Sequence, residues 1–504
     1  MNAMNVQKRV CLALALGAGC ALALGVAGCR GWAVGPDYKE PEILAADVPL
    51  PDAGYPTTNR TVTGEFKAAA TNEDPRAEIT ADSIRAWWTQ FNDGVLTNLV
   101  EAAVSNNLSF LMAQERLVQA RWTLVGSAAA FLPSITMDGT YTRSGAHGFT
   151  SSRGGRGTAY HGDHWNSGFD ASWEIDVFGG TRRAYEAAEA LLDASSYSLA
   201  DAWVSLTAEI ASTYVQLRTV QERLTVARAN LKLQSETYEI LKSRLDSGIG
   251  DELAVNQAKY NVEQTRASIP NLLASEEQLM NAIAILAGTM PGVLHDMLRP
   301  LPARDWLIAP QRVSAIPLDA MRHRPDVRAA ERSLAAQVAS VGVAEAQLFP
   351  KFYINGSIGL DSIDANKFFR RDAFMGSIGP AFRWPLFQGG NLVAAMKQAE
   401  SKMSEAALKY ELAVQTAYGE ARNAYSSYTQ EYHRYQSLQG AVKAAQDAVN
   451  ISQDLYKNGL ADFNNVLDAQ RSLLTLEEAL TISRGKITTD LIALYKALGG
   501  GVAF

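Results

Sequence analysis

Ser247-Gly248-Ile249-Gly250-Asp251 and Asn458-Gly459-Leu460-Ala461-Asp462 are two versions of one short phrase, and they decide the fold. Each follows a very long stretch without proline, 181–246 in one case and 391–457 in the other, rich in Ala, Leu, Glu, Gln and Arg. At 1.5 Å rise per residue such stretches make helices of roughly 100 Å. A run of that length without internal caps suggests a coiled coil rather than one helix of an ordinary bundle. The apolar stripe is narrow: Leu217, Val220, Leu224, Ala227 and Leu231 recur at three–four spacing, with polar and small residues between them. Glycine just past the last periodic residue is a helix stop, so Gly248 and Gly459 mark tight turns. Asp251 and Asp462 then stand where the returning helix needs an N-cap. Each phrase is the tip of a helical hairpin.

Upstream of each hairpin the same order repeats. Phe131-Leu132-Pro133 leads into Met137-Asp138-Gly139-Thr140, and Leu348-Phe349-Pro350 leads into Ile354-Asn355-Gly356-Ser357. Trp173 precedes Phe178-Gly179-Gly180, and Trp384 precedes Phe387-Gln388-Gly389-Gly390. The chain is an internal duplication of a helix–strand–strand–long helix–helix unit, a mixed α/β class. The first repeat is expected over 86–290, with strands near 134–143 and 165–176 and a helical hairpin over 181–288. A connector over 291–316 follows. The second repeat is expected over 317–504, with strands near 351–360 and 374–386 and a hairpin over 390–498.

The four strand stretches alternate. Ile135, Met137, Phe169, Trp173, Ile354, Ile358, Ile378 and Phe382 fall on one face. The other face carries Asp138, Asp170, Glu174, Asp176 and Arg383 among Ser, Thr and Asn. Stretches of about ten residues with this alternation suit a membrane β-barrel, although a soluble sheet with one wet face alternates alike. Four strands cannot enclose a water-filled lumen, because single-chain barrels start at about eight. If they span, several copies must share one barrel. The polar face would then line the lumen, and its acidic excess predicts a cation-preferring mouth.

The amino terminus supports a membrane destination. Lys8 and Arg9 precede an apolar run, 10–26, that ends in Val26-Ala27-Gly28-Cys29. This is a signal peptide over 1–28 with a lipobox, so Cys29 is the expected lipid attachment residue. Arg30, not Asp, follows it, which favours the outer over the inner membrane. Of the three cysteines, Cys11 and Cys20 lie in the leader, so the mature chain has no disulfide. Residues 29–85 read as a lipidated, extended arm rich in Pro, Ala and Thr.

Composition excludes other classes. Among 504 residues, 47% are hydrophobic and 20% charged, with a net charge of −7. An acidic chain without a basic face is no nucleic-acid binder. No nucleophile, base and orienting group share a spacing, and no phosphate-binding glycine loop appears, so no enzyme is expected. His147, His161, Asp163 and His164 in 144–164 could hold a metal, but a Gly/Ser-rich outer loop is the better reading. No metal and no cofactor other than the covalent lipid on Cys29 is expected.

Four motifs carry a resemblance. They are Val34-Gly35-Pro36-Asp37-Tyr38, the run Trp87-Trp88 to Phe91, Asp93, Leu96 and Leu99, Arg324-Pro325-Asp326-Val327 with Glu331, and Phe463, Val466-Leu467-Asp468-Ala469-Gln470 after Gly459. In this order they resemble the TolC-like outer-membrane factors, in the OprM-like lipoprotein branch. The resemblance implies a homotrimer with one shared β-barrel and a long periplasmic α-helical barrel. It implies a periplasmic adaptor and a proton-driven inner-membrane pump as partners, with outer-membrane lipid around the barrel. It implies efflux of drugs, metals or other small solutes; a type I protein-secretion conduit and a poreless coiled-coil tether are the alternatives. It places the gate at the periplasmic tip, on Asp468 with Asp462 and Asp251 nearby, while a second acidic family position falls on Asn465.

Overall fold

The computed structural model describes residues 33–39, 87–146, 160–301, 322–458 and 460–500. Cys29, most of the arm, His147 and Gly459 lie outside the described residues, as does the side chain of His161. The elements in chain order are α1 (Gly94–Asn106), α2 (Leu108–Ala129), β1 (Ser134–Ala146), β2 (Tyr160–Ile175), α3 (Gly180–Asp246), α4 (Glu252–Leu286), the short α5 (His295–Leu298), α6 (Pro325–Ala346), β3 (Lys351–Ser362), β4 (Phe374–Arg383), α7 (Asn391–Lys457) and α8 (Phe463–Ala497). A 3₁₀ turn, Trp87–Phe91, precedes α1. Both long helices have 67 residues.

Local chemistry explains the boundaries. Asp93 caps α1, accepting from the backbone N–H of Val95 (2.8 Å) and of Leu96 (3.3 Å). Asn107 caps α2 through the Phe110 N–H at 3.0 Å. α3 ends in a Schellman motif: Gly248, at φ +79°, donates to the Leu245 carbonyl, and Ile249 donates to that of Arg244. Gly288 and Gly499 close α4 and α8 by the same pair of bonds. Of the stripe on α3, Leu217, Leu224 and Ala227 are buried, with Val220 packed beside the last two.

The duplication extends to single bonds. The Trp173 indole donates to the Phe131 carbonyl at 2.9 Å, and the Trp384 indole donates to the Leu348 carbonyl at 3.1 Å. Each tryptophan ties the end of a strand pair back to the turn that opens it. Likewise Asn107 donates to the carbonyl of Leu286 at 2.9 Å, and Arg324 to that of Ala497 at 2.9 Å. These carbonyls belong to the last residues of α4 and α8, which have no intrahelical partner.

The described residues fall into two compact units, and these cut across the sequence repeats. The first takes in the described residues up to Pro41 together with Leu117–Ser195 and Ala329–Tyr410. The second takes the described residues of Glu42–Arg116, Ser196–Arg328 and Glu411–Phe504. In the first, the four strands form one antiparallel sheet in the order β1-β2-β3-β4. In the second, Trp87 stacks on Tyr495 with ring centroids 5.7 Å apart, within a core that includes Leu96, Ile210, Leu217 and Ile283. Buried Arg218 and Gln221 on α3 donate to the Leu298 carbonyl, at 2.8 and 3.0 Å, and so fix the start of the connector.

One acidic site in the second unit sets a pH dependence. Glu431 on α7 is buried, with Ser483 at 2.6 Å and Lys486 at 3.2 Å on α8 and Arg434 at 3.2 Å one turn along. Beside it, burial pushes the Asp490 carboxyl up to about 6; Lys486 opposes the shift and Glu431 adds to it. Its Oδ2 has no hydrogen-bond partner among the described residues. Between the ordinary aspartate pKa and about 6 the folded chain binds more protons than the unfolded one, so stability falls as pH rises through that window. Asp490→Asn is therefore expected to raise the melting temperature at pH 7 and to lose most of that gain at pH 4. An equal gain at both pH values, measured by thermal unfolding, would contradict this.

Candidate functional site: a two-faced sheet and paired helical turns

The register sorts the strand residues into faces. Thr136, Asp170, Ser357 and Ser377 form one cross-strand row; Ser134, Ser172, Asn355 and Gly379 form the next. Side chains bond along these rows: Ser172 Oγ donates to Asn355 Oδ1 at 2.9 Å, and the hydroxyls of Ser357 and Ser377 are 2.8 Å apart. Asp138 accepts from Thr136 Oγ1 at 3.2 Å. The opposite face sets Ile135, Ala171, Gly356 and Ile378 in one row and Met137, Phe169, Ile358 and Gly376 in another. Ile135 is 68% exposed, Met137 69% and Ile378 84%. An apolar face this open needs a covering, and a lipid core supplies one. Among the described residues no helix is long and apolar enough to cross a membrane.

The charge on the polar face differs from the sequence expectation. Asp176 does not line it. β2 ends at Ile175, and the Asp176 carboxylate turns to the start of α3, accepting from the N–H of Thr181 (3.2 Å) and of Arg182 (2.9 Å) and facing the Arg182 guanidinium at 3.4 Å. It serves the orphan N–H groups of a helix N-terminus, where a carboxylate is favoured. Glu174 is paired with Lys351 at 3.1 Å, and Lys351 sits opposite Arg383 in the register. Asp361, on the same face, faces His164 at 3.0 Å. The face is thus mixed in sign: Asp138, Asp170, Glu174 and Asp361 against Lys351 and Arg383. Lys351 was legible as the residue after Pro350, at the strand start.

The strand ends also move. β1 runs on to Ala146 and β2 starts at Tyr160, so Asp163 and His164 are strand residues rather than part of a loop over 144–164. Asp163 lies 3.0 Å from the Tyr141 hydroxyl and 3.7 Å from Arg143. Among the described residues no cluster of three His, Cys, Asp or Glu could hold a metal. β4 stops at Arg383, which leaves Trp384 and Leu386 beyond it.

The two helical turns lie in the second unit. Asp251 caps α4 through the Leu253 N–H at 3.0 Å. Asp462 holds the matching place before α8, but among the described residues its side chain makes no cap bond; its carbonyl accepts from Asn465 N–H at 3.1 Å. α7 ends with the Leu460 N–H on the Leu455 carbonyl at 2.9 Å. Leu241, Ala254, Val255, Phe463, Val466 and Leu467 pack the hairpins together, with Arg244 over the Tyr456 ring at 5.5 Å. Asp468 is not in that core: its side chain is 75% exposed. Arg471, one turn along, lies 3.9 Å away, and its guanidinium is held by Asn261 Oδ1 on α4, at 2.7 and 2.9 Å. The i,i+3 spacing of Asp468 and Arg471 was the signal for this neighbour.

Comparison with known proteins gives these features a context. The model of the outer membrane efflux protein family matches residues 99–289 and 316–500, one segment per repeat. Nodulation protein T of Rhizobium leguminosarum bv. trifolii is 33% identical over 94% of this chain and 95% of its own. The pyoverdine export outer membrane protein OpmQ of Pseudomonas aeruginosa is 28% identical, over 84% of this chain and 88% of its own. Among solved structures, the outer-membrane channel OprN superposes with a TM-score of 0.80 at 33% identity, covering 93% of this chain and 99% of its own. With a two-faced sheet, two long helical hairpins and matches across both repeats, the chain belongs to the outer membrane efflux protein family, as the outer-membrane channel of a tripartite efflux system that extends into the periplasm.

Proposed function

We propose that three copies of this chain form one channel, with twelve strands closing a barrel in the outer membrane and the long helices forming its periplasmic tube. The observation that carries this is the four-stranded sheet itself. Among the described residues its outer strands, β1 and β4, each pair on one side only, and its apolar face is exposed. Open edges invite pairing with neighbours, and cyclic closure leaves none. Cys29, once the leader is removed, bears the lipid. The partners are a periplasmic adaptor and a proton-driven inner-membrane pump, and the cargo is small solutes such as drugs or metals. The channel needs no cofactor beyond its lipid and does no chemistry, in keeping with a family named for efflux.

The gate lies at the α7–α8 turn, where Asp468 is the charge best placed to act. Three copies of an exposed carboxylate brought to one axis repel each other and attract cations. Asp468→Ala trimers are expected to conduct more at rest than the parent, by up to severalfold. Single-channel recording in planar bilayers checks this; unchanged resting conductance rejects Asp468 as the gate, and absence of any conductance by the parent rejects the pore.

A further inference from the structure

Between the lipid cysteine and the Pro/Ala/Thr-rich arm lies a short stretch that is held firmly. The Val34 N–H donates to the Phe178 carbonyl at 3.1 Å. Arg183, near the start of α3, spans the segment: Nε donates to the Val34 carbonyl (3.3 Å), Nη2 to the Gly35 carbonyl (3.2 Å) and to Asp37 Oδ1 (2.7 Å), while Nη1 meets Glu186 at 2.8 Å. Its side chain is only 7% exposed. Gly35, at φ +97°, lies against Gly342 of α6 so closely that a Cβ on it would strike the Gly342 backbone. A Cβ on Gly342 would in turn meet the Val34 carbonyl at 3.0 Å and Arg183 Cγ at 2.9 Å. The Tyr38 hydroxyl donates to Glu331 Oε1 at 3.0 Å, with the Arg332 guanidinium 5.7 Å from the Tyr38 ring centre. The segment thus bridges the repeats, Phe178 and Arg183 of the first to Gly342 and Glu331 of the second.

A flexible spacer needs none of this. A buried guanidinium on two carbonyls and a carboxylate, and a glycine-to-glycine contact, specify one position for the backbone. That position lies at the foot of the sheet, since Phe178 follows the last residue of β2, Ile175, by three. From Ala33 back to Cys29 is four residue steps, a reach of at most about 14 Å for an extended chain. We propose that residues 33–38 are a seat for the lipid anchor, one that fixes where its acyl chains enter the bilayer relative to the strands. The partner surface is the phospholipid leaflet at the end of the apolar sheet face that carries the row Ile175, Phe352 and Phe382. This rests on the reading of Cys29 as lipidated.

The test uses the full chain in native outer membranes, with the Cys29 lipid labelled metabolically by a diazirine fatty acid. After photolysis, intramolecular cross-links are mapped by peptide mass spectrometry in the parent and in Asp37→Ala/Tyr38→Phe, which loosens the seat from its exposed side. Arg183→Lys, which keeps the charge but not the fork, is a second variant should the first change nothing else. In the parent, cross-links are expected on the strand-end row around Ile175, Phe352 and Phe382; in both variants their share there should drop severalfold while the channel still assembles. Cross-links spread over the apolar face, alike in parent and variants, would overturn the seat. Absence of any labelled Cys29 peptide would overturn the lipid reading itself, so the two failures are told apart.

Discussion

Arg324→Ala is expected to destabilise the chain by about 3 kcal/mol, the lower part of the range for breaking a buried ion pair. Arg324 is buried where α6, α7 and α8 meet. Its Nε and Nη2 grip Asp326 at 3.0 and 2.7 Å, Nη2 also meets Glu420 at 2.7 Å, and Nη1 satisfies the last carbonyl of α8. Burial works against its charge, but the bonds to Asp326 and Glu420 outweigh this and hold its pKa above the ordinary value. Its loss takes the guanidinium from two carboxylates and a helix-end carbonyl, leaving Asp326 with the Val327 N–H at 2.9 Å. It also removes a cation that restrains Asp201, whose carboxyl is raised by burial and by nearby Asp326. Asp326 and Glu420 retain some contact with water, which limits the cost. Arg324→Lys should recover less than half of it, because an ammonium cannot fork between partners. Denaturant unfolding of the two variants measures this; full recovery by lysine would show that charge alone matters.

Gly485→Val is the second large effect. Gly485 is a buried residue of α8, and a Cβ there would run into the Thr219 side chain on α3. Thr219 is fixed by its own bond to the Val215 carbonyl at 2.8 Å, so it has little room to turn away. Overpacking of a tight crossing costs about 1–3 kcal/mol, and the two valine methyls put this site at the upper end. Thr219→Ala removes two of the three atoms that a Cβ would meet, so Gly485→Ala should be far better tolerated in that background than alone. A double-mutant cycle without such coupling would mean that the helices separate freely at this crossing.

These positions show what the sequence could and could not reveal. The hairpins were legible because glycine at a helix stop and aspartate at a helix start have local causes, as Gly248 and Asp251 show. The two faces of the sheet were legible because strand side chains alternate. Asp176 misled because alternation continues one residue past the strand; only the start of α3 shows that its carboxylate has another task. Asp462 misled in the opposite sense, holding a capping place without the bond. Periodicity said nothing of Arg324, Arg183 or Gly485, since the contacts that tie them across the fold, to Glu420 and Ala497, to Asp37 and to Thr219, span 96 and 173, 146 and 266 positions. The family motifs did contain partners of two of these residues, Val34, Gly35 and Asp37 for Arg183 and Asp326 for Arg324, and the structure supplies the physical reason: the first three fix residues 33–38, the last the junction of α6 with α8.

The central claim is that the four strands of one chain make only part of a barrel. Native mass spectrometry of the channel extracted in mild detergent tests it most directly. The account predicts a complex of three times the mass of the mature, acylated chain, with monomer appearing only on denaturation. A monomer as the sole species under conditions that preserve the fold would contradict it.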